Sequence, residues 1–176
     1  MFKKVYEIVI EIKTPFIISS GNIEGEMIDK ATVKMNNKPF IPGSTLKGKV
    51  RDNLLMILKS KLNEDKAEEL VSRLFGSKGY CPSKIYFTDL LPEEEKGTNV
   101  RYGVAIDRFR KVSKDKALYS FETADIGIYK GKVEAYIDEE IDLEELIMAF
   151  KMIDFIGGSK SRGCGRCKVD IREVKA

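Results

Sequence analysis

The stretch 41–51 places hydroxyl and basic side chains where a helix is predicted to begin, directly after a Pro-Gly turn. Free backbone N–H groups at a helix N-terminus favour an anion. The order of a P-loop is missing, because valine follows the Gly-Lys pair. The stretch therefore predicts a phosphate site, and a capped helix with a solvated basic face is the alternative. The candidate ligands are Ser44, Thr45, Lys47, Lys49 and Arg51.

The stretch 156–166 holds four glycines, two serines and three basic residues. Glycine lets the backbone approach a ligand closely, and consecutive N–H groups can form an anion-binding nest. A flexible helix-to-strand turn would explain one or two glycines, but not the interleaved serines and basic residues. We therefore predict that a polyanion is bound by Gly157, Gly158, Ser159, Lys160, Arg162 and Arg166.

Asp29 is the candidate for metal or proton chemistry. It lies in a weakly periodic segment, 14–43, which is long for a connection in a compact domain. A loop carboxylate can bind a divalent ion or take a proton, but one Asp alone is a weak signal. The chain has no His, which excludes a Ser-His-Asp or Cys-His triad and any His-ligated metal site.

Two further groups could carry chemistry. The connection 107–116 is basic and contains Arg108 and Phe109, so it could insert into nucleic acid, or simply be a solvated hairpin. Cys164 and Cys167 have the spacing of a zinc or redox pair. A small buried residue is the better interpretation of Cys167, because it falls on the inward side of a predicted strand.

The charge of the chain is concentrated in three segments. The 176 residues include 31 Lys plus Arg and 28 Asp plus Glu, a net charge of +3. Segments 34–51, 101–119 and 156–176 carry +5, +4 and +4, so the rest of the chain carries −10. This distribution indicates a basic face for a polyanion and an acidic face elsewhere, unless the charges are ordinary surface scatter.

The elements that must position these residues follow from hydrophobic periodicity. The order β-α-α-β-β-β-α-β predicts an α+β, ferredoxin-like (RRM-like) antiparallel sheet with helices on one face and long loop insertions. We expect a single domain, 1–176, with insertions near 14–43 and 107–120 and short strand pieces near 31–35. Strands are predicted at 4–13, 84–90, 100–106, 117–123, 125–137 and 166–174, and helices from Ser44, at 64–75, and from Asp142 to Gly157-Gly158. No membrane span is expected, and the predicted location is the cytoplasm.

Four stretches together resemble the RAMP superfamily of CRISPR-associated proteins, in particular the repeated backbone subunit of type III effector complexes. They occur in the family's order from residue 15 to residue 170. The Pro-Gly-Ser-Thr-Leu-Lys-Gly helix entry combined with the C-terminal glycine-rich loop is fairly specific. The stretches are Ile28-Asp29 with 39–51; Leu74-Phe75-Gly76; Ile106-Asp107-Arg108 with 118–122; and 156–169.

The resemblance implies an RRM-like core and several copies stacked along a CRISPR RNA in an antiviral effector complex. It implies a hairpin within 107–120 that wedges between bases of the guide–target duplex. It also implies that Asp29 supports cleavage of target RNA with a divalent metal ion, Mg²⁺ or Mn²⁺. The expected partners are CRISPR RNA, target RNA, further copies of the chain and other effector subunits. The residues expected at RNA are Ser44, Thr45, Lys47, Lys49, Arg51, Arg108, Gly157, Gly158, Ser159, Lys160, Arg162 and Arg166.

Three other functions stay open from the sequence. The chain could bind RNA without cutting it, as some members of the superfamily do. It could be a metal-independent endoribonuclease that processes CRISPR RNA, although the absence of His weighs against this. It could also be an unrelated ferredoxin-like domain that binds a small anionic ligand.

Overall fold

The computed structural model describes residues 2–19, 28–137 and 142–174, apart from the side chain of Lys116. Two glycines of the long N-terminal segment, Gly21 and Gly25, lie outside the described residues. The strands are β1 (Phe2–Ile12), β2 (Lys34–Met35), β3 (Lys38–Pro39), β4 (Ile85–Phe87), β5 (Leu91–Pro92), β6 (Thr98–Ile106), β7 (Ser113–Ala124), β8 (Gly127–Ile137) and β9 (Cys167–Glu173). The helices are α1 (Gly43–Lys59), α2 (Glu64–Phe75) and α3 (Leu143–Lys151), with a 3-10 turn at Lys160–Arg162.

The central sheet has the order β4-β8-β1-β9, and β5 adds to β8. All of its pairings are antiparallel. If β1, β4, β8 and β9 are counted from first to fourth, the order is 4-1-3-2, with helices between the first and second and between the third and fourth. This is the ferredoxin-like arrangement, so the predicted fold class is confirmed.

Alternation along β1 explains why this strand is central. Tyr6, Ile8, Ile10 and Ile12 are buried, and the intervening residues turn to the other face. Ile8 lies opposite Gly131 of β8, and Ile10 lies opposite Val169 of β9. The apolar face of the sheet therefore receives the helices, which bury their own apolar stripes against it.

The helices bury the stripes that periodicity predicts. Along α1 the buried residues include Leu46, Val50, Leu54 and Ile57. The bounds of α2 coincide with the predicted range 64–75, and the side chain of Asn63 accepts the Lys66 N–H as its N-cap. Asp142 caps α3, as predicted, by accepting the N–H of Glu144. No helix in the described ranges is long and apolar enough to cross a membrane.

The predicted end of the third helix is wrong. It ends at Lys151, with Met152 as its C-cap, well before the Gly157-Gly158 pair. The chain leaves the helix because its backbone pairs with the segment that leads into β9. Phe155 forms a bridge with Arg166, and Ile156 N–H donates to the Gly165 carbonyl at 2.7 Å.

The expectation of one sheet is also wrong. Strands β6 and β7 pair with each other as a separate two-stranded hairpin, and β2 with β3 forms another small ribbon. Most of β6 is exposed, so the hairpin projects from the core instead of extending the central sheet. Its turn is shorter than the predicted connection 107–116, because β7 already begins at Ser113.

Candidate functional site

A cavity of about 560 Å³ brings together residues that are far apart in the sequence. One wall is the Asp29 segment, another is the glycine-rich loop, and the third is the base of the hairpin at β7. The lining residues are Ile17, Ile18, Ser19, Asp29, Lys30, Tyr119, Ser120, Phe121, Gly157, Gly158, Ser159 and Arg162. Two separately predicted groups, Asp29 and the glycine-rich loop, therefore share one site.

Asp29 is held in this cavity by Ser120. The Ser120 backbone N–H donates to Asp29 Oδ2 at 2.6 Å, and the Ser120 hydroxyl donates to the same oxygen at 3.2 Å. The Asp29 N–H in turn donates to Ser120 Oγ at 3.2 Å. These reciprocal bonds fix the carboxylate relative to β7, although the Asp29 side chain remains exposed to solvent.

Glu122 anchors the segment that follows Asp29. It is only 6% exposed, and it accepts the Thr32 N–H at 3.2 Å, Lys34 Nζ at 2.5 Å and the Thr98 hydroxyl at 2.6 Å. Burial alone would raise the pKa of Glu122, but the hydrogen bonds and the Lys34 charge outweigh it and hold the pKa below its usual value. Glu122 therefore ties β7 to the chain around Asp29.

The glycine-rich loop owes two of its glycines to close packing. Gly157 and Gly165 have φ of +79° and +74°, and a Cβ would overlap the carbonyl of Ile17 and of Ile156, respectively. The N–H groups also serve the fold, since Gly158 N–H donates to the Ile17 carbonyl at 2.8 Å. At least this N–H of the predicted backbone nest is therefore already hydrogen-bonded within the chain and does not face a bound anion. The side chains of the loop remain the better candidates for anion contacts.

Basic side chains surround the loop. Lys49 Nζ lies 3.5 Å and Lys160 Nζ lies 4.0 Å from the centroid of the Phe155 ring. Burial, opposed in part by nearby charges, lowers the pKa of Lys49. The guanidinium of Arg162 lies 5.2 Å from the centre of the Tyr119 ring. Arg166 is exposed, and its backbone N–H donates to the Thr14 hydroxyl at 2.9 Å.

The N-terminus of α1 differs from the predicted anion site. Its cap is Pro42 and not Ser44, and the first N–H, of Gly43, donates to the Asp89 carboxylate at 2.8 Å. A carboxylate of the chain itself therefore already satisfies this end of the helix. Ser44 is exposed and Thr45 is half-buried.

Lys47 and Arg51 line a second cavity of about 820 Å³, which shares no lining residue with the first. Lys78 from the connection after α2 lines it as well. Lys47 Nζ donates to Ser83 Oγ at 2.9 Å. Burial, and after it the charge of Arg51, lowers the pKa of Lys47.

The tip of the hairpin carries Arg108 and Phe109. Asp107 accepts the backbone N–H groups of Phe109 and Arg110 at 2.9 and 3.0 Å, and these bonds shape the turn. Both Arg108 and Phe109 are exposed, and Phe109 is 98% exposed. The nine residues of β6 span about 30 Å, so the tip stands well away from the central sheet.

The cysteines are packed into the structure. Cys164 is buried, and Cys167 packs against the core with its pKa raised to about 12, chiefly by burial. Among the described residues, no three Cys, Asp or Glu side chains are grouped to hold a metal ion. The interpretation of Cys167 as a small core residue agrees with this placement.

Sequence reasoning gave no role to Ser120, Glu122 and Lys78, although 118–122 belongs to a stretch that resembles the family. Ser120 and Glu122 alternate with aromatic residues on a strand, where a serine and a glutamate carry no local signal of a partner ninety residues away. Lys78 follows the predicted end of α2 in an ordinary charged loop. A prediction of strand register between 29–32 and 120–122 could have found the first two.

The fold and the site together define an RRM-like ferredoxin domain with a carboxylate and a basic, glycine-rich loop at one cavity. The model of the RAMP superfamily matches residues 9–168, and the chain belongs to this family. The family predicted from the sequence is therefore confirmed.

Comparison with individual proteins agrees with the family. The chain is 28% identical over 171 residues to the CRISPR system Cms endoribonuclease Csm3 of Streptococcus thermophilus, covering 85% of this chain and 77% of that protein. Its fold is similar to a chain of the type III-B Cmr-beta complex bound to cognate target RNA, with a TM-score of 0.70 at 12% identity. The apo state of Cmr-beta gives a TM-score of 0.73 at 14% identity, and both matches cover 97% of each chain.

Gly165 and Gly163 provide a matched pair for testing the close packing of the loop. Both have positive φ, but a Cβ at Gly165 would overlap the Ile156 carbonyl, whereas nothing lies within 4 Å at Gly163. We expect Gly165→Ala to lower the free energy of unfolding by about 3 kcal/mol or more, from left-handed strain plus overpacking. Gly163→Ala should cost only about 1 kcal/mol. Equal losses in urea denaturation would contradict this account of the loop.

The lowered pKa of Glu122 predicts a pH-dependent contribution to stability. A carboxyl whose folded pKa is depressed stabilises the fold above its unfolded pKa, and the contribution disappears as the pH falls through the folded value. Glu122→Gln should therefore be less stable than the parent protein at pH 7, and the difference should shrink below about pH 4. Chemical denaturation of both proteins from pH 3 to pH 7 measures it, and a constant difference would refute the interpretation.

Proposed function

We propose that the chain is an RNA-binding subunit of a CRISPR effector complex in antiviral defence. The observation that carries the proposal is the cavity that places Asp29 beside the glycine-rich loop and Arg162. Membership of the RAMP superfamily and the similarity to Csm3 and to chains of Cmr-beta support it. The complex would work in the cytoplasm, where guide and target RNA meet.

RNA would be held mainly through its phosphates. The cations that line the two cavities are Lys30, Lys47, Arg51, Lys78 and Arg162. Lys49, Lys160 and Arg162 lie beside the rings of Phe155 and Tyr119. Such side chains recognise charge and shape instead of a base sequence. Sequence selection would then rest on base pairing between guide and target.

The hairpin β6–β7 would reach into the guide–target duplex. Its exposed tip offers Phe109 for stacking on a base and Arg108 for a phosphate. Neighbouring copies of the chain and other effector subunits would complete the RNA groove. The acidic remainder of the chain offers them complementary charge.

Asp29 would support cleavage of the target RNA with Mg²⁺ or Mn²⁺. Mg²⁺ usually keeps several waters and is held by one or two carboxylates plus substrate phosphates, so a single exposed Asp fits a shared site. A bound divalent ion would stabilise negative charge on the phosphate that is cut. Ser120 would keep the carboxylate pointing into the cavity, and Arg162 would face the same phosphate chain.

A subunit that binds RNA without cutting it is the second candidate. It requires only the basic side chains that line the two cavities, and these can hold phosphates whether or not Asp29 acts. A metal-independent processing endoribonuclease is disfavoured, because the chain has no His to act as a general base.

Substitution of Asp29 separates cleavage from binding. In the assembled complex, Asp29→Ala should reduce Mg²⁺-dependent cleavage of target RNA at least about 100-fold, because the carboxylate ligand is lost. Guide RNA binding should be unchanged. Cleavage is measured on labelled target RNA, with and without EDTA.

The matched control is Asp170→Ala, on the exposed side of β9 and outside the cavity, which should cleave normally. Ser120→Ala removes the hydroxyl contacts with Asp29 but keeps the backbone N–H donor, so it should give a smaller loss than Asp29→Ala. If Asp29→Ala cleaves at the parental rate, Asp29 has no part in the reaction. If the parent complex never cleaves, the non-catalytic function is selected.

Removal of single cations tests the phosphate contacts. Arg162→Ala and Arg51→Ala should each weaken binding of single-stranded RNAs of different sequence by similar factors. Each should also flatten the slope of log K against log salt by about 0.7. Lys66→Ala, at an exposed position of α2 outside both cavities, is the control and should bind like the parent. Loss that depends strongly on RNA sequence would contradict backbone recognition.

A further inference from the structure

The ring of Tyr119 on β7 lies across Gly103, the residue directly opposite on β6. A Cβ built on Gly103 would come within 2.3 Å of the ring carbon Cζ and within 2.4 Å of the hydroxyl oxygen of Tyr119. Glycine weakens a strand interior and often marks a place where another group approaches the backbone closely. The same ring stacks on Phe121, with 6.1 Å between the centroids and 19° between the planes. Gly103 therefore leaves the space in which the Tyr119 ring lies on the hairpin.

The face of the hairpin that carries this ring contacts the glycine-rich loop. The guanidinium carbon of Arg162 lies over the Tyr119 ring, 5.2 Å from its centre. Arg101 is two residues from Gly103 on β6 and shares this face, because side chains alternate along a strand. Its Nη1 lies 4.0 Å from Cys164 Sγ. Each strand of the hairpin thus contributes one contact to the loop.

The loop fixes the backbone of Arg162, but the side chain needs a further contact. Arg162 ends a single 3-10 turn, and the residues that flank this turn, Ser159 and Gly163, have φ of +60° and +79°. The Arg162 N–H donates to the Ser159 carbonyl at 2.9 Å. A long side chain at an exposed position has many rotamers to lose when it is ordered. Stacking on an aromatic ring restricts these rotamers and leaves the N–H groups at the guanidinium edge available for an anion.

We propose that Tyr119 is a positioning residue, which orients the Arg162 guanidinium and through it holds the hairpin against the glycine-rich loop. Gly103, Tyr119 and Arg162 form this hairpin clamp. Tyr119 and Arg162 line the cavity of about 560 Å³, whereas Gly103 lies outside its lining and acts only through the ring. The effect on RNA affinity rests on the proposed RNA-binding function, because an oriented cation binds a phosphate at a lower entropic cost. The effect on the hairpin does not depend on RNA.

Amide hydrogen exchange and RNA affinity, both measured on the full chain, test the clamp. Tyr119→Ala should speed exchange in β6 and β7 of the free protein about two- to fivefold, the range expected for loss of a cation–π contact. Affinity for a fluorescein-labelled single-stranded RNA, measured by fluorescence anisotropy, should fall by a similar factor. Tyr119→Phe keeps the ring and should restore both values.

Gly103→Ala distinguishes displacement of the ring from a general disturbance of the hairpin. In the parent protein the added Cβ should push the Tyr119 ring aside and weaken RNA binding about as much as Tyr119→Ala. In the Tyr119→Ala background the same substitution should have little further effect, because no ring remains to be displaced. Equal losses in both backgrounds would show that the ring has no such role.

Double substitution with Arg162→Ala completes the test. Tyr119→Ala combined with Arg162→Ala should weaken RNA binding no more than Arg162→Ala alone, because both act through the guanidinium. Tyr102→Ala is the matched control, since this tyrosine of β6 is 71% exposed and outside the cavity lining, and its effect should add in full to that of Arg162→Ala.

The outcomes separate the clamp from the proposed function. If Arg162→Ala weakens RNA binding while Tyr119→Ala changes neither exchange nor affinity, the clamp is overturned and the RNA-binding function stands. If the two substitutions speed hairpin exchange non-additively but Arg162→Ala binds RNA like the parent, the clamp stands and the RNA contact proposed for Arg162 fails. Full additivity in both measurements overturns the clamp.

Discussion

The site depends on one close approach, in which the chain after β1 runs directly against the glycine-rich loop. The pairing of β1 with β9 ends at Ile12 and Cys167, but its hydrogen bonds continue. Lys13 N–H donates to the Arg166 carbonyl, Gly165 N–H to Pro15, and Gly158 N–H to Ile17. The loop is therefore an extension of the central sheet, and this explains why a flexible-looking, glycine-rich sequence can form a fixed wall of a cavity. A Cβ on Gly157 or Gly165 would push the two segments apart.

The same N-terminal segment also anchors the hairpin. Phe16 and Ala124 exchange both backbone hydrogen bonds, at 3.1 and 2.7 Å, and Glu122 N–H donates to the Lys30 carbonyl at 2.8 Å. The base of the hairpin is thus part of the cavity, whereas its tip is solvent-exposed. Since the Ser120 N–H and hydroxyl bind the Asp29 carboxylate, the candidate catalytic carboxylate is attached directly to the hairpin.

Local patterns predicted the parts of this structure that depend on local physics. The apolar stripe of α1, the bounds of α2 and the Asp142 cap of α3 follow from helical periodicity and capping chemistry. The separation of β6–β7 from the central sheet could not be predicted, because strand propensity does not say which strand is the partner. For the same reason the role of Ser120 could not be predicted, because its hydrogen bond to Asp29 joins residues ninety-one positions apart. The end of α3 was misplaced because a tertiary pairing, at Phe155 and Arg166, replaced the next helical turn.

The lysines of the chain differ in whether they form ion pairs, and this affects where the small net charge is located. Away from the two cavities, lysines such as Lys3, Lys61 and Lys130 lie within 2.9 Å of glutamate oxygens, so their charges are locally neutralised. Lys47 and Arg51 keep their charge without such partners in the described part of the chain. Exposed pairs add little to stability, but they cancel the field that a distant polyanion would feel. The net charge of +3 is therefore unevenly distributed, because acids such as Glu134, Glu145 and Glu93 pair with lysines that lie away from the two cavities.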